Sequence, residues 1–95
     1  MIVCAAIKFY IEVTNREVIL CGVRHGDCFT QLAALGFRPK GGYKEVCQGF
    51  VDNRGTFFGR KQALEVATEI GQISPTTREY KKRCGEDELY SEDLW

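Results

Sequence analysis

The chain has 95 residues, 44% of them hydrophobic and 27% charged, and its formal net charge is +0. This length predicts one small domain with a modest core, and the balanced charge argues against a protein that coats nucleic acid, which usually carries a basic excess. No apolar run approaches the roughly 20 residues of a membrane-spanning helix, which disfavours a transmembrane protein.

The first predicted elements are two strands and a helix. Ile2–Ile11 and Val18–Val23 are rich in β-branched and aromatic residues, and the polar turn Thr14–Arg16 between them predicts an antiparallel hairpin. Asp27 is a suitable N-cap for a helix over Cys28–Leu35, whose apolar residues recur on one face.

The second half of the chain predicts one more strand, one more helix and a tail. Lys44–Val51 is the third strand, and the turn Asp52–Gly55 leads toward a helix over Arg60–Gln72. Residues 74–95 form a polar C-terminal segment that we expect to dock on the body or on a neighbouring subunit. The predicted fold class is α+β: a small antiparallel sheet with two helices on one face, in the order β-β-α-β-α plus the tail.

Arg24 and His25 lie where the second strand passes into the first helix. A helix start offers free backbone N–H groups and a positive dipole end, so an anion can be held there beside the arginine. The alternative is a surface arginine and a histidine that bonds to nearby backbone.

Phe50, Asn53 and Arg60 surround the turn after the third strand. A phenylalanine can stack on a base, an asparagine can bond a ring edge or a ribose hydroxyl, and an arginine can bind a phosphate. The alternatives are that Phe50 belongs to the core, that Asn53 only shapes the turn, and that Arg60 is an ordinary surface residue.

Catalytic and metal-binding patterns are scarce. The five cysteines form no Cys-x-x-Cys motif, and the start of the chain lacks the pattern of a secretory signal, so we expect reduced thiols in a cytosolic protein. A zinc site through Cys21, His25 and Cys28 would straddle a strand–helix junction and lacks an evident fourth ligand. A thiol enzyme with Cys28 as the nucleophile lacks an orienting group. With one histidine and no phosphate-binding glycine loop, the sequence favours a binding protein without catalytic residues, metal or cofactor.

Five short segments resemble a known family when they are taken together. They are Ala5–Phe9 (AAIKF), Gly22–Cys28 (GVRHGDC), Gln48–Asn53 (QGFVDN), Glu69–Ile73 (EIGQI) and Leu89–Trp95 (LYSEDLW). In this order and spacing they resemble the small phage proteins of the first Thoeris anti-defence family. The resemblance covers most of the chain outside residues 37–43 and 74–85.

The resemblance implies a sponge, which is a non-enzymatic protein that binds a cyclic ADP-ribose isomer and holds it intact. A TIR-domain enzyme of the infected cell makes that signal from NAD. Members of the family form homodimers that assemble to hexamers, and some also capture cyclic di- or trinucleotides at a separate site. The expected location is therefore the cytoplasm of the infected bacterial host, with neither a membrane nor a nucleic-acid polymer as partner.

The resemblance also implies roles for individual residues at a site between protomers. Phe50 is expected to stack on the base and Asn53 to bond a polar edge, while Arg24 and Arg60 bind the pyrophosphate. His25 is expected to serve the oligonucleotide site, and an arginine of the C-terminal segment is expected to close the pocket. The complete set of expected ligand-binding residues is Arg24, His25, Phe50, Asn53, Arg60, Arg78 and Arg83.

Two other functions remain open from the sequence. An enzyme that cleaves the same signal would need paired carboxylates or a second histidine in a suitable context, and neither is evident. A protein–protein inhibitor would use the acidic C-terminal segment and its aromatic residues, among them Trp95, to block a host defence protein.

Overall fold

A computed structural model of the chain describes residues 1–95. Four strands, three α-helices and one 3₁₀ helix follow one another along it. They are β1 Ile2–Ile11, β2 Arg16–Gly22, α1 His25–Ala34, β3 Tyr43–Asp52, β4 Phe57–Gly59, α2 Arg60–Glu69, α3 Pro75–Arg83 and the 3₁₀ helix Ser91–Asp93. The predicted α+β class is confirmed.

The four strands form one antiparallel sheet in the order β2-β1-β3-β4. β1 is central and is paired along most of its length on both sides, which explains why it holds most of the buried strand residues. The predicted hairpin of β1 and β2 is present, and Asn15 takes a positive φ of 54° in its turn.

The core lies between one face of the sheet and the helices. From Ala5 to Ile11 the core residues of β1 alternate along the strand, as expected for a sheet face that is covered by helices, and a register shift between Ile2 and Cys4 interrupts the pattern at its start. They divide into two clusters, one under α2 and one under α1. The first contains Ile2, Ala5, Phe50, Ala63, Leu64, Ala67, Ile73 and Leu89, and the second contains Ile7, Phe9, Ile11, Cys28 and Leu32.

Two elements differ from the prediction. Phe57–Gly59, which was predicted only to lead into the second helix, forms a fourth strand, and Pro75–Arg83 forms a helix inside the segment that was predicted only as a tail. Ser74 caps this helix, since its hydroxyl accepts a hydrogen bond from the backbone N–H of Thr77 at 3.1 Å. Pro75 occupies the first helical turn, where its missing N–H costs nothing.

The C-terminal segment packs on the body of the same chain. Leu89 is fully buried in the cluster under α2, and its backbone N–H donates to the carbonyl of Arg60 at 3.0 Å. The indole N–H of Trp95 donates to the carbonyl of Val23 at 2.8 Å. The segment therefore lies close to both predicted helix starts.

No helix of the chain combines the length and the apolar character needed to cross a bilayer.

Candidate functional site

Arg60 is the centre of a hydrogen-bond network at the start of α2. Its Nη1 donates to the carbonyl of Leu89 at 2.9 Å, and its Nη2 donates to Oε1 of Gln48 at 2.5 Å. Nη2 also lies 3.3 Å from Nδ1 of His25. The guanidinium thus joins β3, α1 and the C-terminal segment, and its position is fixed from three sides.

His25 connects Arg60 to the sheet. Its Nε2 lies 2.7 Å from the carbonyl of Gly49, so Nε2 carries the proton and Nδ1 accepts from Arg60. Burial lowers the pKa of His25 below its ordinary 6.5, and the neighbouring charge of Arg60 lowers it further, although the bond to Gly49 acts in the opposite direction. The imidazole is therefore neutral at pH 7.

The lowered pKa predicts a pH dependence of stability. Between the lowered pKa and 6.5 the unfolded chain binds more protons at His25 than the folded chain does. The contribution of neutral His25 to the free energy of unfolding should therefore be fully present above pH 6.5 and be lost as the pH drops below it. Urea unfolding between pH 5 and 8 would measure this dependence.

Comparison with His25→Gln isolates the effect, because His25 is the only histidine. The variant should lose this part of the pH dependence and keep the part that comes from carboxylates. If native protein and variant had parallel profiles, the neutral state of His25 would be contradicted.

Arg24 has a buried guanidinium nitrogen without a partner. Arg24 is the N-cap residue of α1, and its backbone N–H donates to Oδ2 of Asp27 at 3.0 Å. Its Nη1 is shielded from solvent, yet no acceptor in the chain reaches it. Since a buried donor left unpaired destabilises the fold, this nitrogen is suited to an acceptor from a ligand, such as a phosphate oxygen.

Arg24, His25 and Arg60 line one pocket of about 490 Å³. The C-terminal segment supplies its other wall, where Tyr90 is about one-third exposed. The ring centroid of Tyr90 lies 5.2 Å from the Arg60 guanidinium carbon, a cation–π contact. The complete lining is Arg24, His25, Gly26, Arg60, Tyr90, Ser91 and Glu92. Two arginines and an aromatic ring in one pocket suit a phosphorylated ligand with a flat part. We call this the arginine pocket.

The other expected ligand-binding residues lie elsewhere. Phe50 is fully buried in the cluster under α2. Its ring packs edge-to-face against the imidazole of His25, with 5.1 Å between the ring centroids. Its ring has no free face for a base, so the expected stacking role is not available to it in this chain.

Asn53 lies in the β3–β4 turn and binds the start of β1. Its Oδ1 accepts from the N-terminal ammonium at 2.7 Å, and its backbone N–H donates to the Met1 carbonyl at 2.9 Å. It does not line the arginine pocket. Its contacts give it a structural role within the turn.

Arg78 and Arg83 lie on α3 and do not line the arginine pocket either. Arg83 lines a separate groove on α3 with Glu79 and Tyr80. Arg24, His25 and Arg60 are therefore the part of the expected set that the fold brings together.

Sequence reasoning missed Tyr90 and Gln48 as site residues. Tyr90 is distant in sequence from the helix starts, and only packing of the C-terminal segment brings it to Arg60. Gln48 lies two residues before Phe50 on β3, within the segment Gln48–Asn53. Its side-chain amide, which can bind an arginine, was the one signal that could have indicated it.

The thiols and acidic groups form no metal cluster. No group of three or more His, Cys, Asp or Glu side chains is placed to hold a metal ion. All five cysteines are free, and Cys28 is buried with its thiol against the carbonyl of Leu20 at 3.2 Å. Burial raises the pKa of Cys28 to about 11, which disfavours the thiolate that a thiol enzyme requires.

Comparison with known proteins gives one family. A family model described as phage T4 y16D protein matches residues 1–95. No curated protein matches the chain. No solved structure matches it either.

Proposed function

The chain belongs to the phage T4 y16D protein family, and we propose that it acts in the cytoplasm of an infected bacterium, where it binds and sequesters a cyclic ADP-ribose isomer. The signal is made by a TIR-domain enzyme, and the protein holds it without cleaving it. The observation that carries the proposal is the buried, unpaired Nη1 of Arg24, a residue that lines the same pocket as Arg60.

The chemistry of the ligand fits the arginine pocket. A cyclic ADP-ribose has a pyrophosphate, two riboses and an adenine. The pyrophosphate oxygens supply acceptors for Arg24 and Arg60, and charge-assisted bonds of this kind are the strong ones. The exposed part of the Tyr90 ring offers an apolar surface to the adenine or a ribose. Sequestration at nanomolar concentrations requires a binding free energy of about −12 kcal/mol.

The state of His25 supports binding rather than turnover. Both of its ring nitrogens are engaged, one with Gly49 and one with Arg60, so neither is free to move a proton on a ligand. Glu92 is the only carboxylate that lines the arginine pocket, and general acid–base cleavage by a carboxylate pair needs two.

We propose in addition that the protein works as a homodimer that assembles to a hexamer. The arginine pocket is open on one side, and a second protomer would close it. An apolar hollow of about 470 Å³ on the surface is suited to such a contact. It is lined by Val3, Cys4, Cys21, Gly22, Val23 and Trp95. Cyclic di- or trinucleotides are candidates for a further site between protomers.

Inhibition of a host protein through the acidic C-terminal segment is the alternative. Deletion of the segment does not separate the two functions, because Tyr90, Ser91 and Glu92 also line the arginine pocket. Reversal of exposed acidic residues away from the pocket, such as Asp87→Lys, is the better discriminator, since it changes the acidic surface and keeps the pocket.

The proposal predicts that Arg24→Gln weakens binding of the cyclic ADP-ribose isomer by about 30-fold, because a buried charge-assisted bond to phosphate is lost. Isothermal titration calorimetry would measure the affinity. The variant should fold as stably as the native protein or more stably, since it removes an unpaired buried donor.

Arg54→Gln is the matched control, because Arg54 is an exposed arginine in the β3–β4 turn and the charge change is the same. It should bind like the native protein. If both variants bound equally well, or lost affinity equally, Arg24 would not contact the ligand and the proposal would lose its carrying observation.

A further inference from the structure

Lys81 is the most deeply buried charged side chain of the fold, at 2% exposure, although it lies on the otherwise polar helix α3. A buried ammonium destabilises a protein unless it is paired. Its Nζ lies 2.8 Å from Oδ2 of Asp93 and 3.4 Å from Oε2 of Glu86. It also donates to the carbonyl of Glu88 at 3.1 Å. All three partners follow α3 in the chain, so Lys81 is the point at which α3 holds the last residues of the C-terminal segment.

The same contacts lead to the arginine pocket. Oδ2 of Asp93 accepts from the backbone N–H of Tyr90 at 2.8 Å, and the Lys81 ammonium lies 4.6 Å from the centroid of the Tyr90 ring. Arg60 contacts that ring as well. The side chain of Lys81 does not itself line the pocket. Its contacts with Asp93 and Tyr90 therefore connect Lys81 to the pocket wall.

Lys81 also balances a negative charge. Asp93 is mostly buried beside the pocket wall, with 17% of its side chain exposed. Burial alone would lower the pKa of Lys81, but its hydrogen bond and charge interaction with Asp93, and then with Glu86, raise it above the ordinary value. The ammonium therefore stays charged at neutral pH, and it compensates a carboxylate that would otherwise oppose a phosphate in the pocket.

We propose that Lys81 is a positioning residue for anion binding, since it fixes Tyr90 in the pocket wall and neutralises Asp93, which preserves the positive potential of Arg24 and Arg60. This inference rests on the proposed function for the identity of the anion. The arrangement predicts that the charges of Lys81 and Asp93 matter as a pair, and that removing one is worse than removing both.

The test combines Lys81→Met, Asp93→Asn and the double variant. Affinity for the cyclic ADP-ribose isomer is measured by calorimetry, and the position of the C-terminal segment is followed by the fluorescence of Trp95, the only tryptophan. Its indole binds the Val23 carbonyl, next to Arg24. Lys82→Met is the matched control, because Lys82 is the exposed neighbour on α3.

Lys81→Met should weaken binding by about tenfold, because an unpaired carboxylate remains beside the pocket. It should also shift Trp95 emission to the red, because the segment that carries Trp95 is no longer held by Lys81. The double variant should recover most of the affinity and the native emission, since a neutral pair of similar shape removes the imbalance. Lys82→Met should match the native protein in both measurements.

The inference is overturned if Lys81→Met equals Lys82→Met in affinity and emission, or if the double variant is as weak as Lys81→Met. Absence of binding by the native protein would instead refute the proposed function. In that case Trp95 emission alone still decides whether Lys81 positions the segment, because it needs no ligand.

Discussion

Replacement of Arg60 by methionine is expected to weaken binding of the cyclic ADP-ribose isomer by about 100-fold or more. Arg60 lines the arginine pocket, and its guanidinium also orients three other groups. These are the Leu89 carbonyl, the Gln48 amide and the His25 ring. The substitution removes the phosphate partner and releases the C-terminal segment that carries Tyr90. Calorimetry would measure the affinity, and Trp95 fluorescence would report the segment.

Two further variants define the reason for the loss. Lys61→Met removes a charge from the next residue, whose ion pair with Asp87 is exposed on both sides, so it should leave affinity unchanged. Arg60→Lys keeps the charge but not the planar fork, so it should remain weak. Native-like binding by Arg60→Met would contradict the location of the site.

Gly49→Ala is expected to lower the free energy of unfolding by about 3 kcal/mol. Gly49 faces Gly59 across the β3–β4 pair, and a Cβ at this position would overlap the carbonyl of Phe58 and press on the ring of Phe57. Backbone cannot move aside as a flexible side chain does, so β4 would have to shift away from β3. Urea denaturation of the variant and the native protein would measure the difference.

The shift should also disturb the site, because β4 leads directly into Arg60 and the Gly49 carbonyl binds His25. Gly26→Ala is the matched control for stability. A Cβ at Gly26 meets nothing within 4 Å, and alanine favours the helix, so this variant should be as stable as the native protein or more stable. A Gly49→Ala protein of native stability would contradict the close approach of the two strands.

The long elements could be predicted from the sequence because their patterns are strong. β1 has its predicted bounds, and the starts of β3 and α2 fall within one residue of the prediction. α1 begins at His25 rather than Cys28, and Asp27 lies in its first turn instead of capping it. The shift places Arg24 at the N-cap position, from which it lines the arginine pocket.

The two missed elements had weak or misleading patterns. β4 has three residues, too few to show an alternation. α3 has no apolar stripe, because a charged residue, Lys81, is its buried side chain. Ser74 followed by Pro75 was a start signal that could have predicted this helix.

The site divides in the same way. The positions of Arg24 and Arg60 were predictable because each stands where a strand leads into a helix. Their closeness was not, because β2 and β4 are opposite edge strands of the sheet, and the two helix starts meet through the contacts of His25 with Gly49 and Arg60. The position of Tyr90 was not predictable, because it requires the C-terminal segment to dock against Arg60. Phe50 was wrongly expected at the site, because the register of β3 against β1 places it in the core. No local pattern distinguishes a phenylalanine that faces a helix from one that faces a ligand.

Recovery of intact ligand tests sequestration most directly. The purified protein is incubated with the cyclic ADP-ribose isomer made by a TIR-domain enzyme, free ligand is removed by filtration, and the retained protein is denatured by heat. Chromatography and mass spectrometry then identify what is released. Sequestration predicts that the isomer is depleted from the filtrate and recovered chemically unchanged after heating, whereas a converted product, or an isomer left entirely in the filtrate, would contradict it.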